Sequence, residues 1–287
     1  MTITTRTIEA NGLAFAVDEA GAGERLALCL HGFPESRFSW RAQMPVLADL
    51  GYRVWAPDLR GYGQTEPKPQ DVDSYRMERL LEDVAALIDA AGAKEVMLVA
   101  HDWGAAVAWT FAARKVRPLS RLVIMNVPHP AVFAQVLRRS PRQMLRSWYM
   151  AFFQIPGWPE RLLLARDARA IRRAFSGMAK DKSRFPDAVL DRYAADAQRP
   201  GAMTGMINWY RAAARHPDFM REPWAKIEIP TLIIWGEADA ALGLETLEGT
   251  EAHVADLQIK RLPGVSHWVQ QEAPEAVNGL LVDWLRT

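Results

Sequence analysis

Apolar and polar positions alternate with period two at the start of the chain, then gather into short apolar runs separated by helical stripes. Residues 4–9 and 13–18 alternate around Asn11-Gly12, which predicts a two-stranded antiparallel hairpin. Residues 26–30, 52–56, 96–100 and 122–125 are short runs rich in Leu, Val and Ile, as expected of strands covered on both faces. Helical patterns separate them at 40–50, stopped by Gly51, and at 78–91. In the latter Leu80, Leu81, Val84, Leu87 and Ile88 form one stripe closed by Gly92. Strand, helix, strand, helix predicts an α/β chain with a mostly parallel, doubly wound sheet.

The rhythm breaks near Pro130. Up to Pro223 the chain has no buried β-branched run, and Arg, Ala, Met and Trp recur at helical spacing. An inserted helical cap over residues 130–222 is predicted, within a core made of 1–129 and 223–287. Strands resume at 230–235 and 257–262, and a closing helix is expected over 274–286.

The run at 96–100 ends in His101-Asp102-Trp103-Gly104-Ala105-Ala106, where strand gives way to helix through an x-Asp-x-Gly turn. In this context a nucleophile elbow holds its side chain above a sheet, and here that side chain is Asp102. A carboxylate can attack an electrophilic sp³ carbon to form an ester that water then cleaves. An Asp that merely caps the next helix is the alternative reading.

Ligands of open α/β sheets bind at the carboxyl ends of the strands. Asp102, Asp239 and His267 each follow a strand, in the chain order nucleophile, acid, His. His267 would then act as general base and Asp239 would orient it. Glu237 is the rival acid, but the Gly-x-x-Asp turn favours Asp239. Asn126 occupies another place where such folds carry the acid, yet it is not a carboxylate. Asp58 sits in a Gly-rich turn and is expected to accept backbone N–H groups. His31 and His101 lie inside tight loops and are read as structural.

Composition changes this picture little. A net charge of +1 gives no reason to expect nucleic acid. Residues 131–220 hold 14 Arg and 2 Lys against 7 acids, +9, which leaves −8 for the remainder. Such asymmetry can indicate an anionic partner or membrane surface, but these arginines are interleaved with apolar residues at helical spacing, and a solvated helical face paired against the acidic body is the expected reading. The lone Cys29 permits no internal disulfide and is expected to be a buried small hydrophobe. Without an apolar leader or a run of membrane-spanning length, the chain reads as soluble and cytoplasmic, with no stable membrane anchoring.

His31-Gly32-Phe33-Pro34-Glu35-Ser36, Asp58-Leu59-Arg60-Gly61-Tyr62-Gly63, His101-Asp102-Trp103-Gly104 and the terminal Asp and His resemble the α/β-hydrolase-fold epoxide hydrolases. More loosely, they resemble the haloalkane and fluoroacetate dehalogenases. The likeness runs over nearly the whole chain, but these core motifs are common to all three groups. The cap distinguishes them. Epoxide hydrolases carry one cap tyrosine before a Phe-Gln-x-Pro-Gly stretch and another in Asn-Trp-Tyr-Arg. Here Tyr149 precedes Phe153-Gln154-Ile155-Pro156-Gly157, and Tyr210 lies in Asn208-Trp209-Tyr210-Arg211.

The resemblance implies a cofactor-independent, metal-free hydrolysis of an epoxide to a vicinal diol through a hydroxyalkyl ester of Asp102. Tyr149 and Tyr210 would hydrogen-bond the epoxide oxygen, because an alkoxide is a poor leaving group that needs a proton. Backbone N–H groups of Phe33 and Trp103 would hold the oxyanion during ester cleavage, and Glu35 would help position the water. A dehalogenase would share the same three residues and cradle its halide with N–H donors such as Trp103 and Trp148. Phe38, Trp103, Phe133, Trp148, Phe152, Met178, Met206 and Trp268 are candidate walls of an apolar substrate pocket. Monomer and homodimer are both open.

Overall fold

A computed structural model describes residues 2–220 and 223–286. In chain order the elements are β1 (Thr4–Ala10), β2 (Leu13–Ala20), β3 (Arg25–Leu30), α1 (Met44–Asp49), β4 (Arg53–Pro57), α2 (Met77–Ala91), β5 (Glu95–His101), α3 (Asp102–Ala113) and β6 (Arg121–Met125). Six helices follow: α4 (Pro130–Arg139), α5 (Pro141–Arg146), α6 (Trp148–Phe152), α7 (Trp158–Met178), α8 (Asp187–Ala197) and α9 (Ala202–Arg215). The chain closes with β7 (Thr231–Gly236), β8 (Leu257–Leu262), α10 (Val269–Glu272) and α11 (Pro274–Leu285).

The strands form one eight-stranded sheet in the order β1-β2-β4-β3-β5-β6-β7-β8. β2 runs antiparallel to both β1 and β4, and the other pairs are parallel. This is the expected mostly parallel, doubly wound sheet opened by a hairpin. Because side chains alternate across a strand, the apolar runs feed two cores. Leu26, Leu28, Leu30, Leu98, Ala100, Leu122 and Ile124 pack with α2 and α3 on one face. Ala27, Cys29, Met97, Val99, Val123 and Met125 pack on α1 and α11 on the other. Cys29 is fully buried, and burial pushes its thiol pKa far up, as befits a small hydrophobe. Each fully buried Leu or Ile contributes about 1.5–3 kcal/mol, so these two layers hold the sheet that carries the site.

Two local departures have plain causes. The expected helix at 40–50 is a 3₁₀ turn at Arg37–Trp40 followed by α1 at Met44–Asp49. Pro45 lacks an N–H and is tolerated in a first helical turn, so the α-helix begins beside it. α7 is broken at Ala165, and Arg166, Asp167 and Ala168 have φ between 52° and 57°. No Gly or Pro marks that kink.

Helices α4–α9 occupy the stretch expected to be a cap, and the expected end at 222 lies outside the described residues. Their apolar faces join the α2/α3 side of the core in one continuous cluster that includes Ile171, Phe175, Met206 and Tyr210. No helix among the described residues is long and apolar enough to cross a membrane.

Candidate active site

Asp102 stands at the junction of β5 and α3 with φ 47°, a left-handed conformation that a non-Gly residue adopts only when its surroundings enforce it. Gly104 packs against β3 so closely that a Cβ there would lie 2.3 Å from the Leu30 carbonyl oxygen. Gly32 gives way in the same manner, since a Cβ on it would meet Asp102 Oδ1 at 2.3 Å. These two glycines let the β3 loop and the elbow close on each other. The Phe33 N–H donates to Asp102 Oδ1 at 2.6 Å. The Trp103 N–H lies in the first turn of α3, where amides have no acceptor within the helix. The carboxylate thus meets one backbone donor, with that first-turn amide next in the chain, at the positive end of a helix.

His267, on the loop after β8, places Nε2 3.5 Å from Asp102 Oδ2 and Nδ1 2.7 Å from Asp239 Oδ2. Burial alone would lower its pKa. The carboxylate charges of Asp239 and Asp102 reverse that and push it up to about 10. Asp239 is buried, which disfavours its charge, but His267 and hydrogen bonds from Asn126 and Leu242 hold its pKa below the usual carboxylate value. Its Oδ1 accepts the N–H groups of Ala241 at 2.7 Å and Leu242 at 3.0 Å, and its Oδ2 accepts Asn126 Nδ2 at 2.8 Å. Asn126 thus holds Asp239 in place. Glu237, the rival acid, is engaged at the surface by Arg261 at 2.7 Å.

The other loop residues behave as their turns predict. Asp58 accepts the N–H groups of Arg37 and Gln64 at 2.9 and 2.8 Å and pairs with the Arg37 guanidinium. His31 Nε2 accepts the Leu59 N–H at 3.0 Å. His101 does more than fill its loop: its two ring nitrogens hydrogen-bond with Glu35 Oε2 at 2.7 Å and the His267 carbonyl oxygen at 2.9 Å. Glu35 is buried, which by itself would raise its pKa, yet the charge of His101 and the bonds from His101, Ser39 and Gly32 bring it to about 2.

Here the expectation of a water-positioning Glu35 needs correction. Its carboxylate already accepts five donors, from Gly32, Ser39, His101, Gln270 and Gln271, and it does not line the cavity beside Asp102. Saturated in this way, it holds the His267 loop from behind.

Beside Asp102 lies a cavity of about 300 Å³. Tyr149 of α6 and Tyr210 of α9 both line it, with ring centroids 5.8 Å apart and nearly perpendicular. Tyr210 also packs edge-on against Trp103 at 5.0 Å and Phe33 at 5.3 Å. Burial, and then the Asp102 charge, raise both phenol pKa values, so both rings are protonated donors facing the carboxylate. The remaining walls are apolar and include Phe133, Met150, Phe219, Met220 and Leu242.

Of the wall residues expected from sequence, Trp103 and Phe133 line this cavity. Met206 is wholly buried in the core, Trp268 packs at a tilt on Phe175 at 4.5 Å and Phe38 packs edge-on against Tyr193 at 5.9 Å. Trp148 is 64% exposed and points elsewhere. Phe152 and Met178 are partly buried against the core without reaching the cavity.

The arrangement can attack a carbon with Asp102, donate to the oxygen that leaves that carbon, and deliver a water from His267 to the resulting ester. The chain is similar to known proteins over nearly its whole length. Residues 28–274 match the family described as the alpha/beta hydrolase fold. The AB hydrolase superfamily protein YfhM of Bacillus subtilis is 36% identical over 97% of this chain and 96% of its own length. Mouse epoxide hydrolase 4 is 35% identical over 97% of this chain and 78% of its own. Among solved structures, a Bacillus megaterium epoxide hydrolase in complex with an inhibitor superposes with a TM-score of 0.90 at 31% identity, over 98% of this chain and 100% of that one. Coverage of this extent, at these identities, shows that the chain belongs to the α/β-hydrolase family and, within it, to the epoxide hydrolases.

Proposed function

We propose that the chain converts an apolar epoxide and water to a vicinal diol, with Asp102 as nucleophile, Tyr149 and Tyr210 as oxygen-binding acids, and His267 with Asp239 as the water-activating pair. The observation that carries this is the pair of buried phenols lining the same cavity as the elbow carboxylate. An opening oxirane releases an alkoxide that needs a proton, whereas a halide needs none. Two phenols in an apolar cavity suit the first reaction. They add nothing to the second. The helical stretch 130–222 acts in this reading as a cap that supplies both phenols and shuts water away from the nucleophile.

Atoms and protons balance as follows. An Asp102 oxygen bonds to an oxirane carbon, the C–O bond breaks, and one tyrosine gives its proton to the departing oxygen, leaving a phenolate and a hydroxyalkyl ester. His267, protonated while two carboxylates face it, returns a proton to the phenolate. Esterification has removed the Asp102 charge, so the remaining support for the imidazolium is Asp239 and neutral His267 becomes accessible as a base. It takes a proton from water, whose oxygen attacks the Asp102 carbonyl carbon. The oxyanion that forms is held by the Phe33 and Trp103 N–H groups; when it collapses the ester bond breaks, the hydroxyl proton of the tetrahedral intermediate passes to the departing alkoxide oxygen, and the diol leaves with Asp102 ionised and His267 protonated again.

The test of the reaction class is a side-by-side assay of the parent protein, with diol measured from styrene oxide and halide from a bromoalkane. Diol without halide is expected. Halide release with no diol from any epoxide tried would overturn the assignment.

The charge coupling has a pH signature. With Asp102 ionised, His267 carries its proton through neutrality and loses it only as pH rises through about 10. Ester formation takes its proton from a tyrosine and precedes the return of the His267 proton, so its rate constant should stay nearly level between neutral pH and that point. Ester hydrolysis needs the neutral ring, and the ester lacks the Asp102 charge. Its rate constant should climb about tenfold per pH unit until a pKa below 10 is passed. Single-turnover mass spectrometry separates the two steps, and the reverse pattern would refute the assigned role of His267.

A further inference from the structure

The cap carries a surface that the reaction does not use. Met144, Leu145, Trp148, Ile155, Trp158 and Leu162 are all exposed, Leu145 by 75%, Trp148 by 64% and Trp158 by 66%. All come from α5, α6, the turn after it and the first turns of α7. Isolated exposed apolar side chains are ordinary, but six large ones lie here within one nineteen-residue stretch, and a gathering of exposed apolar side chains marks an interaction site. The same region is strongly cationic. Between 138 and 173 there are nine arginines and two carboxylates, a net +7.

Of the two carboxylates, Glu160 pairs with buried Arg211 outside this stretch, and Asp167, with Asp191, pairs with a single one of the nine arginines, Arg172. Arg138, Arg139, Arg142, Arg161 and Arg169 are exposed and take no carboxylate partner among the described residues. The expected pairing against the acidic body is made by Arg184 with Glu275 at 2.9 Å, but not by these five. The patch also borders the route to Asp102: Ala151 and Gln154 line the cavity and are exposed at its edge.

We propose that this face of the cap docks reversibly on an anionic lipid bilayer, with Trp148, Trp158 and their apolar neighbours in the interfacial layer and the arginines against the lipid phosphates. An amphipathic surface with Trp and Leu on one side and Arg around it is what such an interface recruits. A second copy of the chain fits less well. A two-fold contact would press one arginine cluster against another, and a head-to-tail contact on the acidic body would not close on itself. Docking would place the cavity mouth at the layer in which apolar epoxides concentrate. The docking itself does not depend on the assignment of the reaction.

The experiment is flotation of the full chain with vesicles of phosphatidylcholine alone or of phosphatidylcholine with phosphatidylglycerol, at about 0.1 M and about 1 M salt, across which the screening length falls from about 10 to 3 Å. At the lower salt, recovery on anionic vesicles should exceed that on neutral ones by at least about tenfold, and the excess should vanish at the higher salt. Tryptophan emission should shift to the blue with the anionic vesicles alone. Leu145→Ser/Trp158→Ser should remove the binding while diol formation from a dissolved epoxide is retained. Absence of flotation on anionic vesicles by the unaltered chain would overturn the proposal. So would a dimer in sedimentation velocity that the same pair of substitutions dissolves, since the patch would then be covered by a second copy.

Discussion

His267→Gln is expected to stop the enzyme after half a turnover. On mixing with excess epoxide it should consume about one equivalent, and the intact mass should rise by the mass of the substrate with the adduct on Asp102. Steady-state diol formation should fall on the order of 10⁴-fold or more, as when a residue that acts within a catalytic unit is removed. The geometry gives the reason. Asp102 owes its position to the elbow, the Phe33 N–H and two close-packed glycines, none of which His267 supplies. Gln is close to His in size, so the cavity and the carboxylate stay formed, and the first step keeps its nucleophile and both phenols. The second step loses its base. Asp102→Ala should be equally inactive and yet acquire no mass. An unmodified His267→Gln protein after incubation, or one turning over at more than about 1% of the parent rate, would contradict the two-step assignment.

Much of this site was legible because strand ends are legible. The runs at 26–30 and 96–100 are apolar at every position, which only a doubly covered strand tolerates, and the residues after such strands meet at one sheet edge. Topology alone therefore brings Asp102, Asp239 and His267 together. Choosing Asp239 over Glu237 followed from the turn, and the structure gives a reason in Asn126, which holds one carboxylate while Arg261 occupies the other.

Three features were not legible. The bonds from Gln270 and Gln271 to Glu35 span more than 230 residues, so no local pattern announces that the Glu35 carboxylate is saturated. The break in α7 lies among Ala, Arg and Asp rather than at Gly or Pro, so tertiary packing decides it. The cavity walls were partly misjudged because helical periodicity says which face of a cap helix is apolar but not which partner it meets. Met206 went into the core, while Met150, Phe219 and Leu242 reached the cavity. The arginines met their expectation only in part for a related reason: sequence counts charges over a segment but does not say which of them, as Arg184 does with Glu275, will reach a carboxylate of the body.

Tyr149→Phe/Tyr210→Phe is expected to lower the rate of ester formation by at least about 10³-fold, since one positioned acid contributes roughly 10²–10⁴-fold. Each single variant should lose less, because the partner ring, 5.8 Å away and lining the same cavity, still offers a hydrogen bond. Removing the second donor then leaves the alkoxide with none, so the two losses should exceed the product of the singles. Both rings sit in apolar packing, with Tyr210 wedged among Phe33, Trp103 and Phe153, so Phe preserves the fold and deletes only the hydroxyl. The effect should fall on one half-reaction. Ester that does form on the double variant should hydrolyse at nearly the parent rate, because water activation belongs to His267 and Asp239 and the oxyanion is held by backbone N–H groups. Mass spectrometry of the adduct under single-turnover conditions reads both steps. If the double variant forms ester at the parent rate, the tyrosines are packing residues and the leaving oxygen is protonated by another group. If ester hydrolysis slows as much as formation, the substitutions have disturbed the elbow rather than removed two acids.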